Sequence, residues 1–263
     1  MPLLETSFGP LEYLRTGSGS PVTIYAHGLA GSIPETRPFA SGVPGTGVFF
    51  HFRAHGACAA PETPWTYDAL GAELHAVEEM VSSNDQDPPN VLGISMGAGA
   101  ICNLLATSPS RFAKVVLVLP AVIDRPRTGP AVERMRELSR LVEDRDVPGV
   151  TELLLAEQPT AAAVRPDVRV WATTQAQRIV GTPVARGYRE LPSQFPVSSR
   201  ELLGRVAAPV LVIGQQGDSA HPSYIAEELA DVFPDATLRV FDEGGLLWAH
   251  RSELRALLAD FLA

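Results

Sequence analysis

Short runs of apolar residues recur along the chain and alternate with longer segments in which apolar residues follow helical spacing. The runs are continuous, which is typical of strands that helices cover on both faces. The predicted strands are residues 3–8, 11–15, 22–26, 48–52, 91–94, 115–119, 210–213 and 238–241. The predicted helices between and after them are residues 66–82, 98–108, 222–232 and 252–262. This alternation predicts an α/β fold with a mostly parallel, eight-stranded sheet and helices on both faces.

One region interrupts the alternation, because no strand-like run lies between Leu119 and Pro209. Amphipathic helical patterns occupy residues 130–143, 149–157, 168–180 and 182–191, with Pro- and Gly-containing turns between them. A segment of this length is too long for a plain loop. We therefore expect a helical lid at residues 124–199, inserted after the sixth strand into a core domain formed by residues 1–123 and 200–263.

Composition and charge narrow the class of protein. The 263 residues are 45% hydrophobic, which is enough for one large core. The net charge of −9 argues against nucleic acid or an anionic membrane as partner. The two cysteines, Cys58 and Cys102, are too few for a disulfide framework, and neither a secretory leader nor a membrane-spanning run is evident. We expect a cytoplasmic protein, a monomer or a homodimer, that acts on a small molecule without a metal or organic cofactor.

The segment Gly93-Ile-Ser-Met-Gly97 matches the pattern G-x-S-x-G between a predicted strand and a predicted helix. A serine at such a sharp turn needs small neighbours, since bulk two residues away on either side would clash. The turn presents Ser95 at the end of the sheet and places the Met96 N–H at the start of a helix. The context favours a nucleophile elbow over a plain glycine-rich turn.

Two further loops follow predicted strands. Ala26-His-Gly-Leu-Ala-Gly31 places small residues after the strand 22–26, so that the N–H of Leu29 can point into a cleft. In this loop His27 is expected to bond backbone groups rather than to act as a base. Asp218 follows the strand 210–213 and is a candidate for the acid that orients a histidine. His221, three residues later, is expected to line the pocket or to cap the turn.

These motifs, in this order, resemble the α/β-hydrolase fold family, and the resemblance covers nearly the whole chain. The segment from His51 to Gly56 also resembles the D-x-R-G-x-G loop of the family, with His51 in the place of the usual Asp. The resemblance implies that Ser95 is the nucleophile and Asp218 the acid. It implies that the N–H groups of Leu29 and Met96 form the oxyanion hole, and that Gly28, Gly93 and Gly97 are motif glycines.

The chain departs from the family pattern where the catalytic histidine is expected. The family usually has Gly-His directly after the last strand, but here that place falls on Gly245 or Leu246, and His250 comes about one helical turn later. Three interpretations stay open. The Gly244-Gly245 pair lets the loop bend back and bring His250 to Ser95; or His250 is a helix residue and the triad is broken; or another histidine, such as His55 or His221, substitutes. The first is favoured because His250 is the only histidine after the last strand.

Several other features have plainer interpretations. His51 and His55 have metal-ligand spacing, but no nearby carboxylate completes a set, and we expect structural roles. Asp124 is an alternative position for the acid. The lid is expected to supply an apolar roof that includes Trp171, with Trp248 also lining the pocket. Three lid arginines could meet an acidic substrate group but are expected to be solvated: Arg165, Arg169 and Arg178.

The expected function is hydrolysis of an ester, thioester or related acyl bond through an acyl-serine intermediate, with Ser95, His250 and Asp218 as the catalytic triad. Two other classes stay open. One is a non-hydrolytic member of the same fold, with haloperoxidase-like, acyltransferase or C–C hydrolase activity. The other is a ligand-binding protein that has lost its base, which the replacement of Gly-His by Gly-Gly would explain.

Overall fold

One sheet forms the centre of the protein in the computed structural model, which describes residues 1–83 and 87–263. The strands of this described part are β1 Leu3–Leu4, β2 Leu11–Gly17, β3 Val22–Ala26, β4 Thr46–Phe50, β5 Asn90–Ile94, β6 Val115–Val118, β7 Val210–Gln215 and β8 Ala236–Phe241. They lie in the order β1-β2-β4-β3-β5-β6-β7-β8. β2 is antiparallel to β1 and β4, and every other pair is parallel. The predicted mostly parallel, eight-stranded α/β sheet is confirmed.

Helices lie on both faces of this sheet and in an insertion between β6 and β7. They are α1 Ile33–Thr36, α2 Tyr67–Ser82, α3 Met96–Thr107, α4 Pro130–Glu143, α5 Val147–Ala156, α6 Thr160–Ala163, α7 Pro166–Ile179, α8 Val184–Glu190, α9 Ser223–Ala230 and α10 Arg251–Leu262. Local signals fix several starts: Thr66 Oγ1 accepts a hydrogen bond from Ala69 N at the start of α2. Shorter turns are the 3₁₀ segments Arg37–Ala40, Leu191–Ser193 and Arg200–Arg205, and a π-helical turn at Gly245–Ala249.

The core lies on the two sides of the central strands, whose residues are almost all buried. On one side α2 and α3 pack on the sheet through residues such as Leu70, Leu74 and Ile101. On the other side α10 packs through Leu254 and Leu258. The apolar stripe of each helix therefore faces the sheet, as the helical spacing in the sequence predicts.

The helices α4 to α8 lie between β6 and β7, and we call them the helical insertion. Its apolar residues pack on one another and join the larger of the two core clusters, as Val142, Val150 and Ala176 illustrate. The insertion stands over the carboxyl ends of the strands, where its residues line a cavity together with Ser95. Within the described residues, no helix combines the length and the apolar character that crossing a membrane requires.

Candidate active site

Ser95 lies at the sharp turn between β5 and α3. Its backbone has φ 50° and ψ −105°, which is a left-handed conformation that non-glycine residues rarely adopt. Ser95 N donates to Val118 O at 2.9 Å and Gly99 N donates to Ser95 O at 3.0 Å, so that both neighbouring elements hold the turn in place. Ser95 is thus fixed at the end of the sheet with its backbone in a strained conformation.

The glycines on either side of Ser95 are required by close packing. A Cβ atom on Gly93 would lie 2.5 Å from both Gly97 C and Ile101 Cδ1. A Cβ atom on Gly97 would overlap the carbonyl oxygen of Ala26 on β3. Neither glycine can therefore gain a side chain unless α3 moves away from the sheet.

A chain of hydrogen bonds joins Ser95, His221 and Asp218. Ser95 Oγ lies 2.8 Å from His221 Nε2, and His221 Nδ1 lies 3.0 Å from Asp218 Oδ2. Because an ionised carboxylate can only accept, His221 Nδ1 carries the proton in this arrangement, and Nε2 accepts from the serine hydroxyl. The geometry is that of a nucleophile, a base and an orienting acid.

The turn after β7 explains how His221 reaches Ser95. Asp218 Oδ1 accepts hydrogen bonds from the backbone N–H groups of Ala220 and His221, both at 2.9 Å, and this wraps the turn around the carboxylate. Burial would raise the pKa of Asp218, but the charge of His221 and the hydrogen bonds from His221 and Ala220 lower it below its usual value. Asp218 therefore stays ionised beside the imidazole.

His250 does not reach Ser95, which corrects the expected placement of the base. Its Nε2 lies 2.5 Å from Asp242 Oδ1, and its ring lies 5.2 Å from that of Phe241. The Gly244-Gly245 pair does not let the loop bend back, because Gly245–Ala249 form a π-helical turn that runs directly into α10. The spacing Asp218-x-x-His221 carried the missed signal, since an Asp that caps such a turn brings the residue three places later alongside its carboxylate.

The loop after β3 lies against the serine turn. A Cβ atom on Gly28 would be 3.5 Å from Ser95 Cβ, so the two backbones approach closely. Gly28 O accepts from His27 Nδ1 at 2.6 Å and from Gly31 N at 2.8 Å, which curls the loop around Leu29. Among the described residues, Leu29 N has no acceptor, and Met96 N opens a helix whose first N–H groups have none within the helix.

Three buried histidines support this loop: His27, His51 and His55. Each accepts a backbone N–H at Nε2, from Phe52 at 3.1 Å, Ile33 at 2.9 Å and Ala30 at 3.0 Å respectively. Each donates from Nδ1, to Gly28 O, to Glu12 Oε2 and to Arg53 O respectively. All six ring nitrogens are therefore used in bracing the loops around residues 27–33 and 51–55, which is a structural role for His51 and His55.

This bonding requires the three rings to be neutral, because a protonated Nε2 could not accept. Burial lowers the pKa of all three, to about 3 for His55. In the described part of the chain, no group of His, Cys, Asp and Glu side chains has the geometry of a metal site. His51 is held instead by the Glu12 carboxylate and the N–H of Ile33, and His55 by backbone groups alone.

A cavity of about 530 Å³ lies between the end of the sheet and the helical insertion. The cavity is lined by Ser95, His27 and His221. It is also lined by Trp171 and Trp248, whose ring centroids are 6.0 Å apart. Trp171 Nε1 donates to Glu35 Oε1 at 3.2 Å, which orients the indole. The cavity thus brings together the predicted pocket residues and the predicted nucleophile.

Two arginines of the insertion region contact the loop that carries the imidazole. Arg127 Nη1 donates to Ala220 O at 2.5 Å, and Arg134 Nη2 donates to Ser219 O at 3.0 Å. These carbonyls belong to the two residues that directly precede His221. No local sequence pattern predicts this contact, because Arg134 and Ser219 are 85 positions apart.

The remaining charged candidates lie elsewhere. Asp124 forms an ion pair with Arg200 and has no bond to a histidine. Arg165 and Arg169 are exposed and pair with Asp167 and Glu152. Arg178 is also exposed, and it donates to the carbonyls of Ala30 and Gly31 and pairs with Glu35, so it holds the loop beside the serine from the solvent side.

Comparisons with known proteins agree with this architecture. A curated relative from Mycobacterium tuberculosis, named "Putative non-heme bromoperoxidase BpoC", is 28% identical over 258 residues, covering 92% of this chain and 93% of the relative. An esterase from Exiguobacterium antarcticum superposes with a TM-score of 0.83 at 16% identity, over 99% of this chain and 98% of that one. An enol-lactonase from Burkholderia xenovorans gives 0.78 at 19% identity, over 99% of both chains.

The comparison with protein families covers most of the chain. Residues 21–246 match the model of the alpha/beta hydrolase fold, a range that includes the serine turn and the loop carrying Asp218 and His221. The matched range ends before His250, in the π-helical turn that occupies the place of the usual histidine. The chain belongs to the α/β-hydrolase fold family.

Proposed function

We propose that the protein is a serine hydrolase that cleaves an ester, thioester or related acyl bond through an acyl-serine intermediate. Ser95 is the nucleophile, His221 the base and Asp218 the acid. The observation that carries this proposal is the continuous chain of hydrogen bonds from Ser95 Oγ through His221 to Asp218, at 2.8 Å and 3.0 Å.

In the first half-reaction, Ser95 Oγ attacks the acyl carbon while His221 Nε2 takes the hydroxyl proton. The resulting imidazolium is stabilised by the Asp218 carboxylate at Nδ1. When the tetrahedral intermediate collapses, His221 gives the proton to the leaving alcohol or thiol, and the acyl group stays on Ser95. In the second half, His221 takes a proton from water, the hydroxide attacks the acyl-serine, and the proton returns to Ser95 Oγ.

The N–H groups of Leu29 and Met96 would stabilise the oxyanion. Leu29 N has no acceptor among the described residues, and Met96 N lies at the N-terminus of α3 next to the nucleophile. Such donors each contribute about 3 kcal/mol of transition-state stabilisation. The network of neutral histidines supports this role, because it fixes the loop that carries Leu29.

The helical insertion would act as a lid that selects the substrate. Leu154, Trp171 and Tyr188 line the cavity from the insertion, and Leu246 and Trp248 line it from the π-helical turn. The charged residues of the lining balance: Glu35, Glu157 and Asp218 oppose Arg127, Arg134 and Arg251. This combination favours a neutral acyl substrate of small to medium size.

Covalent labelling tests the proposal. We expect a fluorophosphonate to add to Ser95, with a mass increase on the tryptic peptide that contains it, and p-nitrophenyl acetate and butyrate to be hydrolysed. Ser95→Ala should abolish both. If the wild-type protein is neither labelled nor active on any chain length, the acyl-serine proposal is wrong and ligand binding would remain.

A second candidate is supported by the name of the Mycobacterium tuberculosis relative. In a haloperoxidase-like reaction the same acyl-serine would be attacked by hydrogen peroxide instead of water, releasing a peracid and free serine. Adding peroxide and bromide to the ester assay, and measuring bromination of a dye, separates the two activities. Bromination that depends on Ser95 and exceeds hydrolysis would favour this candidate.

A further inference from the structure

One carboxylate that lines the cavity has no partner. Glu157 follows the last residue of α5 and faces the cavity that contains Ser95. Among the described residues, no donor hydrogen-bonds to its carboxylate, and no arginine nitrogen lies within the 4.0 Å that defines an ion pair. Glu157 is partly buried and lines the cavity, so its carboxylate has no partner in the described protein and is available to a ligand that enters there.

Charged groups surround Glu157 without contacting it. His221, Asp218, Arg127 and Arg134 are close enough to influence its ionisation. Arg127 uses only Nη1, on Ala220 O, and its Nε and Nη2 bond to none of the described residues. The cavity lining near His221 therefore includes an acceptor, on Glu157, and donors, on Arg127, that no described residue uses.

The geometry points to Glu157 and Arg127 as a subsite for a hydroxyl group that the substrate carries away from its acyl bond. A hydroxyl donates one hydrogen bond and accepts others, so it can satisfy the carboxylate and the guanidinium together. This assignment rests on the proposed function, because it describes the substrate that Ser95 would attack.

Neither a cation nor an anion fits this end of the cavity as well. An ammonium group would approach Glu157 but would also meet the like charges of Arg127 and Arg134. A carboxylate would meet the like charges of Glu157 and Asp218. Burial raises the pKa of Glu157, and a hydroxyl can hydrogen-bond to the carboxyl in either protonation state. The balanced charge thus selects a neutral polar group.

A series of esters tests the subsite. The first series consists of methyl esters of straight-chain acids of increasing length, and the far end of the acyl chain carries a methyl, hydroxyl, ammonium or carboxylate group. The second series consists of acetates of straight-chain alcohols with the same four end groups, and it probes the leaving-group side. We expect the hydroxyl ester to exceed its methyl counterpart about tenfold in kcat/KM at the chain length that spans the cavity. Glu157→Leu should reduce this ratio to about one, and Glu157→Gln should retain part of it.

A control on the same helix separates the subsite from general effects. Glu152 is exposed and pairs with Arg169, so Glu152→Leu should leave the ratio unchanged. Circular dichroism of each variant checks the fold. The assignment is wrong if the hydroxyl preference survives Glu157→Leu, or if the carboxylate or ammonium ester is preferred at every length.

Binding measurements distinguish failure of this inference from failure of the proposed function. If no ester is hydrolysed, calorimetry with Ser95→Ala and the same hydroxyl and methyl esters still reports on the subsite. Tighter binding of the hydroxyl ester, lost in Ser95→Ala/Glu157→Leu, would support the subsite without catalysis. Equal binding of the two esters would overturn it.

Discussion

His221 Nε2 lies 2.8 Å from Ser95 Oγ, although the family usually supplies this imidazole from the loop after the last strand. Here it stands in the loop after β7, three residues beyond Asp218. The proposed acid and base therefore share one turn. The loop after β8, which begins at Asp242, forms a π-helical turn and contributes to the cavity wall instead.

Replacing the two histidines separately distinguishes the structure from the family pattern. We expect His221→Ala to lower kcat for p-nitrophenyl butyrate at least about 1000-fold, because the serine loses its base. His250→Ala should stay within about twofold, since His250 contacts Asp242 and Phe241 and not the serine. A large loss in His250→Ala with an active His221→Ala would contradict the assignment.

The acid can be tested against its alternative. Asp218→Asn should lower kcat about 10⁴-fold, because an amide favours the wrong tautomer of His221. Asp124→Asn is the matched control, since Asp124 pairs with Arg200 away from the imidazole. Steady-state kinetics on one ester compares the two variants. A greater loss in the Asp124 variant would refute the role given to Asp218.

Arg127 should act as a positioning residue for His221. Arg127→Met removes the hydrogen bond to Ala220 O and releases the backbone before the imidazole, so we expect kcat on a simple methyl-terminated ester to fall about tenfold, with a smaller change in KM. Arg127→Lys should restore part of the rate. Using an ester without a hydroxyl keeps this effect apart from the proposed subsite.

Arg125 provides the control for that variant. It is exposed, two residues earlier, and makes no hydrogen bond to the described residues. Arg125→Met should therefore leave kcat unchanged. Equal losses in the two variants would show that charge near the cavity, rather than the contact with Ala220, determines the rate.

The buried histidines should make the fold sensitive to acid. Their pKa values are lowered in the folded state from the ordinary 6.5, so the unfolded chain binds more protons below that pH. The contribution of these histidines to the free energy of unfolding is thus fully present above pH 6.5 and is lost as the pH falls. At pH 5.5 we expect each histidine to contribute a loss of at most about 1.4 kcal/mol, with the full amount for His55.

Urea unfolding followed by circular dichroism between pH 8 and pH 5 measures this dependence. His55→Gln should make the slope shallower, since one of the three groups no longer titrates. A free energy that is flat from pH 7 to pH 5.5 would contradict the network of neutral histidines.

The central strands, the main helices and the serine turn could be predicted because each depends on local pattern. Continuous apolar runs defined the central strands, and G-x-S-x-G between a strand and a helix defined the turn at Ser95. Asp218 was identified in the same way, by its place after a buried strand. The position of the imidazole could not be predicted from local pattern. Both His221 and His250 follow strands on the side of Ser95, and only the path of the backbone determines which of them reaches it.

That path depends on interactions that no short segment reveals. The turn at Asp218 closes through backbone N–H groups that donate to its carboxylate. Arg127, 93 positions before Ala220, donates to the Ala220 carbonyl. The expected bend at Gly244-Gly245 is wrong for a related reason. Two glycines let a loop adopt many conformations, but they do not select the one that would bring His250 to Ser95. The bracing by His27, His51 and His55 arises from contacts between separate loops.

A turn that contains both Asp218 and His221 also makes the spacing of these two groups independent of the loop after β8, because the hydrogen bonds that set it lie within residues 218–221. Insertions or deletions in the loop after β8 can therefore reshape the cavity wall without moving the carboxylate relative to the imidazole. A search for the same arrangement in other chains of this fold should examine the segment after β7 as well as the carboxyl terminus.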